Sequence, residues 1–480
     1  MLSNLRSEKV FAYFEELSKV PRGSFHNEKI CRYLVSFAKE KGLSYSVDEA
    51  LNVVIRKPAT EGYELCNTVI LQGHMDMVCE CEQGTEHDFE NEPIDLYEEG
   101  DFIHARGTTL GADDGIGVAM ALAILDSDEY EHPALEVVIT TDEEVGMLGA
   151  AALDLSMLKG KQMINLDSEE EGTLLVSCAG GMTAKADFPS HRTVQEGVLY
   201  QVCISGLKGG HSGCDIQDFR LNANKLLGRL LFQCKEKCSI VELMGGTADN
   251  VITRDALALV RTCSENFRNF CEKSIDELKR EYETWEPELN ITIDVVEDTG
   301  QKGFEWMQSR HIIDFINLVP QGVQVMSKDV GGLVESSLNM GVMQSDEEAV
   351  KFGFSIRSQK KSYKEFLYGK VSTVTSLFGG ICRREGEYPS WDYKKDSMLR
   401  DVMCRVFEQQ YGKAAHVTGI HAGLECGIFY DGVEDMDIVS IGADTFDIHS
   451  PKERLSISST KRVFSYLTAV LKELGNLSIE

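Results

Sequence analysis

The chain has 480 residues and a formal net charge of −30, a balance that argues against nucleic acid or an anionic membrane as its main partner. Its length fits two or more domains with ample core, and its composition is that of a soluble α/β protein, with no signal-like apolar leader and no run long enough to span a membrane. The 14 cysteines are scattered without a C-x-x-C pair, which reads as reduced thiols and a cytoplasmic location.

Residues 7–41 carry two amphipathic helical patterns broken at Pro21-Arg22-Gly23, and 44–56 alternate like a strand. A short apolar run, 68–71, leads into Gly73-His74-Met75-Asp76-Met77-Val78, and 79–101 read as an acidic, irregular surface loop. Gly107 to Gly117 is a glycine-rich turn holding Asp113 and Asp114, followed at once by an apolar helix. Residues 135–141 read as a buried strand ending in Asp142-Glu143-Glu144, and 162–166 as another ending at Asp167. Near 178–181 the texture changes, and from about 182 to 388 strands and long helices follow a different order. After about 390 the first pattern returns, with helix 396–411, strands 415–420 and 436–441, and a final helix 459–474. His449 lies between the last strand and the last helix. The simplest account is a first domain, 1–181 and 390–480, interrupted by an inserted domain, 182–389.

In open α/β sheets, ligands bind beyond the carboxyl ends of the strands. His74, Asp113, Glu144, Asp167 and His449 all fall there. Each has an ordinary reading: Asp-Asp-Gly as a capped turn, a histidine after a strand as a satisfied side chain, paired glutamates as solvated charge. Five suitable groups at one sheet edge favour a metal site. Imidazole plus carboxylate suits zinc, cobalt or manganese. Five ligands exceed one catalytic zinc but fit two divalent ions with one bridging carboxylate, for which Asp113 is the natural choice. One ion would take His74 and Asp167, the other Glu144 and His449. Glu143, diverging from Glu144, is then the expected general base for an activated water, and Asp76 the group that orients His74.

Gly-His-Met-Asp-Met-Val, Gly-Thr-Thr-Leu-Gly-Ala-Asp-Asp-Gly-Ile-Gly, Thr-Asp-Glu-Glu-Val-Gly and Asp-Ile-His-Ser-Pro resemble motifs of the di-zinc exopeptidase family, and the whole-chain layout is similar to its subgroup of cytosolic aminoacyl-histidine dipeptidases. The resemblance implies a mixed α/β sheet flanked by helices with an inserted α+β lid domain. It implies two metals, zinc first among them, on the five residues, catalysis by Glu143 with Asp76, and a small peptide substrate. It further implies substrate contacts by His211, Asn250 and Arg357, in Gly-Gly-His211-Ser-Gly, Ala-Asp-Asn250-Val and Ser-Ile-Arg357-Ser, and by Gly423 and Glu425 in His421-Ala-Gly-Leu-Glu425. His211 would donate to an oxyanion, and Asn250 and Arg357 would hold a carboxylate. Relatives form dimers through the lid, so a homodimer is compatible, although nothing in the chain announces an interface. The implied activity is a metal-dependent dipeptidase acting on Xaa-His and other dipeptides. An aminoacylase or tripeptidase on the same site, or a non-catalytic metal-binding protein of this fold, are the alternatives.

Overall fold

The structure, a computed structural model, describes residues 2, 5, 8–233 and 237–477. The strands that matter here are, first, β1 (Ser44–Val47), β2 (Val53–Lys57), β3 (Val69–His74), β4 (Leu135–Thr140), β5 (Gln162–Asn165) and β6 (Thr173–Cys178). There follow β7 (Gly180–Pro189), β8 (Val198–Ser205), β9 (Ser239–Gly245), β10 (Ala256–Thr262), β11 (Asn290–Val295), β12 (Val334–Ser345), β13 (Ala349–Ser358) and β14 (Ile381–Tyr388), then β15 (His416–Ile420) and β16 (Asp437–Ser440). The main helices are α1 (Lys9–Leu17), α2 (Glu28–Glu40), α3 (Ala112–Leu125), α4 (Ala223–Gln233), α5 (Phe267–Tyr282), α6 (Trp306–Leu318), α7 (Lys361–Leu377), α8 (Met398–Tyr411), α9 (Cys426–Gly432) and α10 (Ile457–Leu477).

Two units emerge. The first comprises 1–178, 391–419 and 424–480, and the second 179–390 with 420–423. The expected boundaries fell at 181/182 and 389/390 and left 420–423 in the first domain. In the structure Ala179 N donates to the carbonyls of Ile420 and Ala422 (both 3.1 Å), drawing that short segment to the second unit.

The first unit holds an eight-stranded mixed sheet in the order β1-β2-β4-β3-β5-β16-β6-β15. Its centre, β4-β3-β5-β16, is parallel, and β3, β4 and β5 are buried along their whole length, as apolar parallel strands covered on both faces must be. Parallel strands present their carboxyl ends on one edge, and His74, Asp142–Glu144 and Asp167 follow β3, β4 and β5 there. α3 is apolar all round and buried nearly throughout, packed against α1, α10 and β3. Its alanines and glycines let these neighbours approach closely.

The second unit is built on a nine-stranded sheet, β11-β8-β10-β9-β12-β13-β7-β14, with strand Gly322–Met326 paired to β12 and helices α4 to α7 packed against it. Among the described residues no helix is long and apolar enough to cross a membrane.

Two local expectations change. The strand anticipated over 44–56 is a hairpin, because Leu51 adopts a left-handed φ of 69° and Asp48 accepts from Asn52 N (2.9 Å), reversing the chain between β1 and β2. The irregular loop anticipated over 79–101 contains a strand, Leu96–Glu99, paired with Phe102–Ala105. That pair joins Thr445–Phe446 and Arg454–Ser456 in a four-stranded ribbon whose connecting loop presents His449.

Leu122 is fully buried in α3. Leu122→Ala leaves a cavity that the surrounding sheet cannot fill, so urea unfolding should show a loss of about 2–5 kcal/mol.

Candidate functional site

The turn before α3 decides the geometry. The first N–H groups of a helix lack internal partners and are normally capped by a nearby side chain. Here Asp114 Oδ2 accepts from His74 N (3.2 Å) instead. The carboxylate of Glu453 ties down the turn that precedes the helix, from the far end of the chain: Oε2 accepts from Leu110 N (2.7 Å) and Gly111 N (2.9 Å), and Oε1 from Ala112 N (2.8 Å) and Asp113 N (3.3 Å). Gly111 has a left-handed φ of 69°, and a Cβ there would stand 2.6 Å from the Arg22 guanidinium. Helical dihedrals begin only after Asp114, and the Asp113–Asp114 peptide is cis.

Asp113 faces two histidines. His74 Nε2 lies 3.0 Å from Oδ1, and His449 Nε2 lies 3.2 Å from Oδ2. Asp167 Oδ1 stands 3.5 Å from His74 Nε2, and Glu144 Oε2 stands 3.0 Å from His449 Nε2. The five residues thus form two groups that share Asp113. The donor atoms of His74, Asp113 and Glu144 all lie within 4.8 Å of one another.

The donor set fits divalent cations. Glu144 Oε1 is buried without a hydrogen-bond partner, and three carboxylates meet two imidazoles in a largely buried space. Buried anions demand a counter-charge. That demand is visible on His449, where hydrogen bonds to Asp113 and Glu144 push the imidazole up to about 10. Burial pushes Asp114 well above the carboxylate range, reinforced by Asp167.

Asp76 does more than orient His74. Its Oδ1 stands 3.4 Å from His74 Nδ1, and its backbone carbonyl 3.2 Å from the same nitrogen. It also accepts from the N–H groups of Glu143 (3.1 Å) and Glu144 (3.4 Å) and from Ser24 Oγ (2.8 Å). One buried carboxylate therefore ties the His74 strand end to the Glu143-Glu144 loop. Burial, above all, raises the Glu143 carboxyl well above its ordinary range, with Asp167, Glu425 and Glu144 adding to it.

Three residues with roles here carried no sequence signal. Glu453 reads as one more surface acid. Arg22 reads only as part of a helix break, yet it is buried, its Nη1 donating to the carbonyls of Met75 (3.0 Å) and Asp76 (3.1 Å) and its Nη2 to that of Gly111. It stitches the His74 loop to the Asp113 turn. Asp142 accepts from Phe25 N (2.6 Å) and Asn27 Nδ2 (2.7 Å), tying the start of α2 to the Glu143 loop.

Glu425, expected as a substrate contact, is fully buried in the first unit, accepting from Gln72 Nε2 (2.5 Å) and Thr140 Oγ1 (2.7 Å), with burial raising its carboxyl to about 7. Gln72 and Thr140 belong to β3 and β4, so Glu425 supports the strands beneath the site.

The remaining candidates lie in the second unit. His211 sits on a two-residue strand paired with Val251–Ile252, and the carbonyl of Asn250, whose residue is exposed, accepts from Ser212 N (2.8 Å). His211 Nδ1 accepts from Gly213 N and Cys214 N (both 3.3 Å), which places the proton of the neutral ring on Nε2. Burial lowers its pKa, and the Arg357 charge lowers it further. Arg357 donates from Nη1 to Tyr388 Oη (2.9 Å), while its Nε is buried without a partner. The Tyr388 ring packs so close to Gly423 that a Cβ there would lie 2.6 Å from it. His211, Arg357 and Gly423 therefore belong to one neighbourhood, together with His421, whose Nε2 is 2.7 Å from Ser337 Oγ.

Comparison with known proteins gives a consistent picture. The family model described as Peptidase family M20/M25/M40 matches residues 70–473. The cytosol non-specific dipeptidase of Escherichia coli (strain K12) is 36% identical over 485 aligned residues, covering 98% of this chain and 99% of that one. The crystal structure of aminoacylhistidine dipeptidase from Vibrio alginolyticus superimposes with a TM-score of 0.93 at 36% identity, covering 98% of each chain. An aminopeptidase from Bacillus cereus shares the fold at 16% identity and a TM-score of 0.56, over 97% of this chain and 98% of its own.

Glu453→Gln leaves two of the four N–H groups without an acceptor. It should cost about 1–3 kcal/mol in urea unfolding and lower the zinc retained after dialysis, read by elemental analysis. His421 tests the charge state of the second unit. Burial, with the Arg357 charge, lowers its pKa from 6.5 to about 3. Between these values the unfolded chain binds a proton that the folded chain does not, so stability falls as pH drops below about 6.5. The stability advantage of wild type over His421→Gln should shrink between pH 7 and 5, measured by urea midpoints.

Proposed function

The chain belongs to peptidase family M20/M25/M40, and on that premise we propose that it is a cytoplasmic, metal-dependent dipeptidase that hydrolyses dipeptides with a free amino end. As a member of that family it is a hydrolase acting on peptide bonds. The names of its relatives, a cytosol non-specific dipeptidase and an aminoacylhistidine dipeptidase, support the substrate class and the compartment. The observation that carries the reading is Asp113, whose two oxygens face two different histidines at 3.0 and 3.2 Å.

Two divalent cations, zinc first, would be held by His74, Asp113 and Asp167 and by Asp113, Glu144 and His449. Bound there, they supply Lewis-acid polarisation of the scissile carbonyl and lower the pKa of the attacking water. Glu143 would take the proton from that water and pass it to the leaving nitrogen, a task suited to a carboxyl that burial lifts well above its ordinary range. Asp76 fixes the His74 ring and the Glu143-Glu144 backbone together, so base and ligands keep their relative positions. In the second unit, neutral His211 offers an Nε2–H donor for a developing oxyanion, and Arg357 a cationic fork for a substrate carboxylate.

Hydrolysis of Gly-His and Leu-Leu should vanish on chelation and return with zinc, cobalt or manganese, while N-acetyl amino acids remain poor substrates. Glu143→Gln should lower kcat by about 10²–10⁴-fold and keep its metal content by elemental analysis. Activity untouched by chelation, or full turnover by Glu143→Gln, would refute the mechanism.

A further inference from the structure

A cavity of about 510 Å³ opens beside the candidate metal centre, entirely within the first unit, and Glu144 forms part of its wall. The rest comes from the turn at 23–26, from 77–80, from 87–90 and from Val145. Its volume is ordinary for a ligand pocket.

The wall at Phe25 sets this cavity apart. Phe25 is 63% exposed, and its φ is 66°, a left-handed region that is strained for a residue with a Cβ. The conformation is held by the partners that hold the reacting groups. Phe25 N and Asn27 Nδ2 both donate to Asp142, next to Glu143, and the neighbouring Ser24 donates to Asp76, which holds His74 and the Glu143-Glu144 backbone. The Phe25 backbone is thus held in a left-handed conformation and tied to the loops of His74 and Glu143, while its large apolar ring is left in solvent. An exposed ring on a held backbone, beside a cavity that Glu144 also lines, fits a surface that a substrate covers.

We propose that this cavity receives one side chain of the dipeptide and that Phe25 is its specificity-determining wall; the proposal rests on the dipeptidase reading above. Phe25, Met77, Phe89 and Val145 give the pocket apolar walls; Glu80, Asp88 and Glu90 outnumber His26 and His87, which stand 3.7 Å from Glu90 and 3.5 Å from Glu92, and leave the pocket acidic. It takes bulky apolar or aromatic side chains, accepts a neutral or cationic tip, and rejects a carboxylate, which would meet like charge.

The test is kcat/KM for wild type, Phe25→Gly and Phe25→Leu on Gly-Gly, Phe-Gly, Gly-Phe, Asp-Gly and Gly-Asp. Glycine adopts φ near 66° freely, so Phe25→Gly removes the ring and relieves the backbone. In wild type, the phenylalanine peptide should exceed both Gly-Gly and its aspartate counterpart in one of the two orders. In that order Phe25→Gly should lower the ratio of the phenylalanine peptide to Gly-Gly by about tenfold or more, through KM rather than kcat, and Phe25→Leu should restore most of it. A ratio unchanged in both orders would overturn the subsite and leave the dipeptidase reading standing. Failure of wild type to cleave any of the five would overturn both.

Discussion

The site depends on how the turn before α3 is held. An Asp-Asp-Gly turn would ordinarily use a carboxylate to cap its own helix, and a carboxylate used that way is not free to bind anything else. Glu453, from the opposite end of the sequence, takes four N–H groups of that turn. Asp113 is left with both oxygens available, and they stand between His74 and His449. Arg22 anchors the same turn to the His74 loop. The remaining geometry follows from parallel strands that deliver their carboxyl ends to one edge.

Such a cluster is costly by itself. Three largely buried carboxylates approach one another, and two histidines, one of them half-exposed, do not offset them fully. Burial of this kind is tolerated where a cation completes the charge balance, so occupancy and stability are linked. The same economy explains Asp76, which serves the histidine on one strand end and the backbone of the Glu143-Glu144 loop on the next. Glu425, Gln72 and Thr140 brace β3 and β4 from below. The candidate groups sit on turns and loops that packed strands and buried polar partners hold in place.

Much of this was legible in the sequence, for a physical reason. His74, Glu144 and Asp167 each follow an apolar run, Asp113 precedes one, and His449 lies between the last strand and the last helix, so local pattern located them. Their supports obey no such pattern. Glu453 and Arg22 are ordinary residues until the chain brings them to the α3 turn, and their partners lie hundreds or dozens of residues away. Leu51 split an expected strand because a left-handed residue other than glycine leaves no trace in hydropathy. The complete burial of Glu425 is hidden for a related reason: it comes with hydrogen bonds to two sheet residues far away in the chain. The contact of Ala179 with 420–422, which moves that segment to the second unit, is likewise a tertiary event.

The central claim is that five residues form one site for two cations joined by Asp113. Elemental analysis of the purified protein beside Asp113→Asn, both dialysed against the same zinc buffer, tests it most directly. The account predicts close to two equivalents per chain in wild type and loss of both in the variant, because the shared ligand serves each. A single equivalent in wild type, or two retained without Asp113, would contradict it.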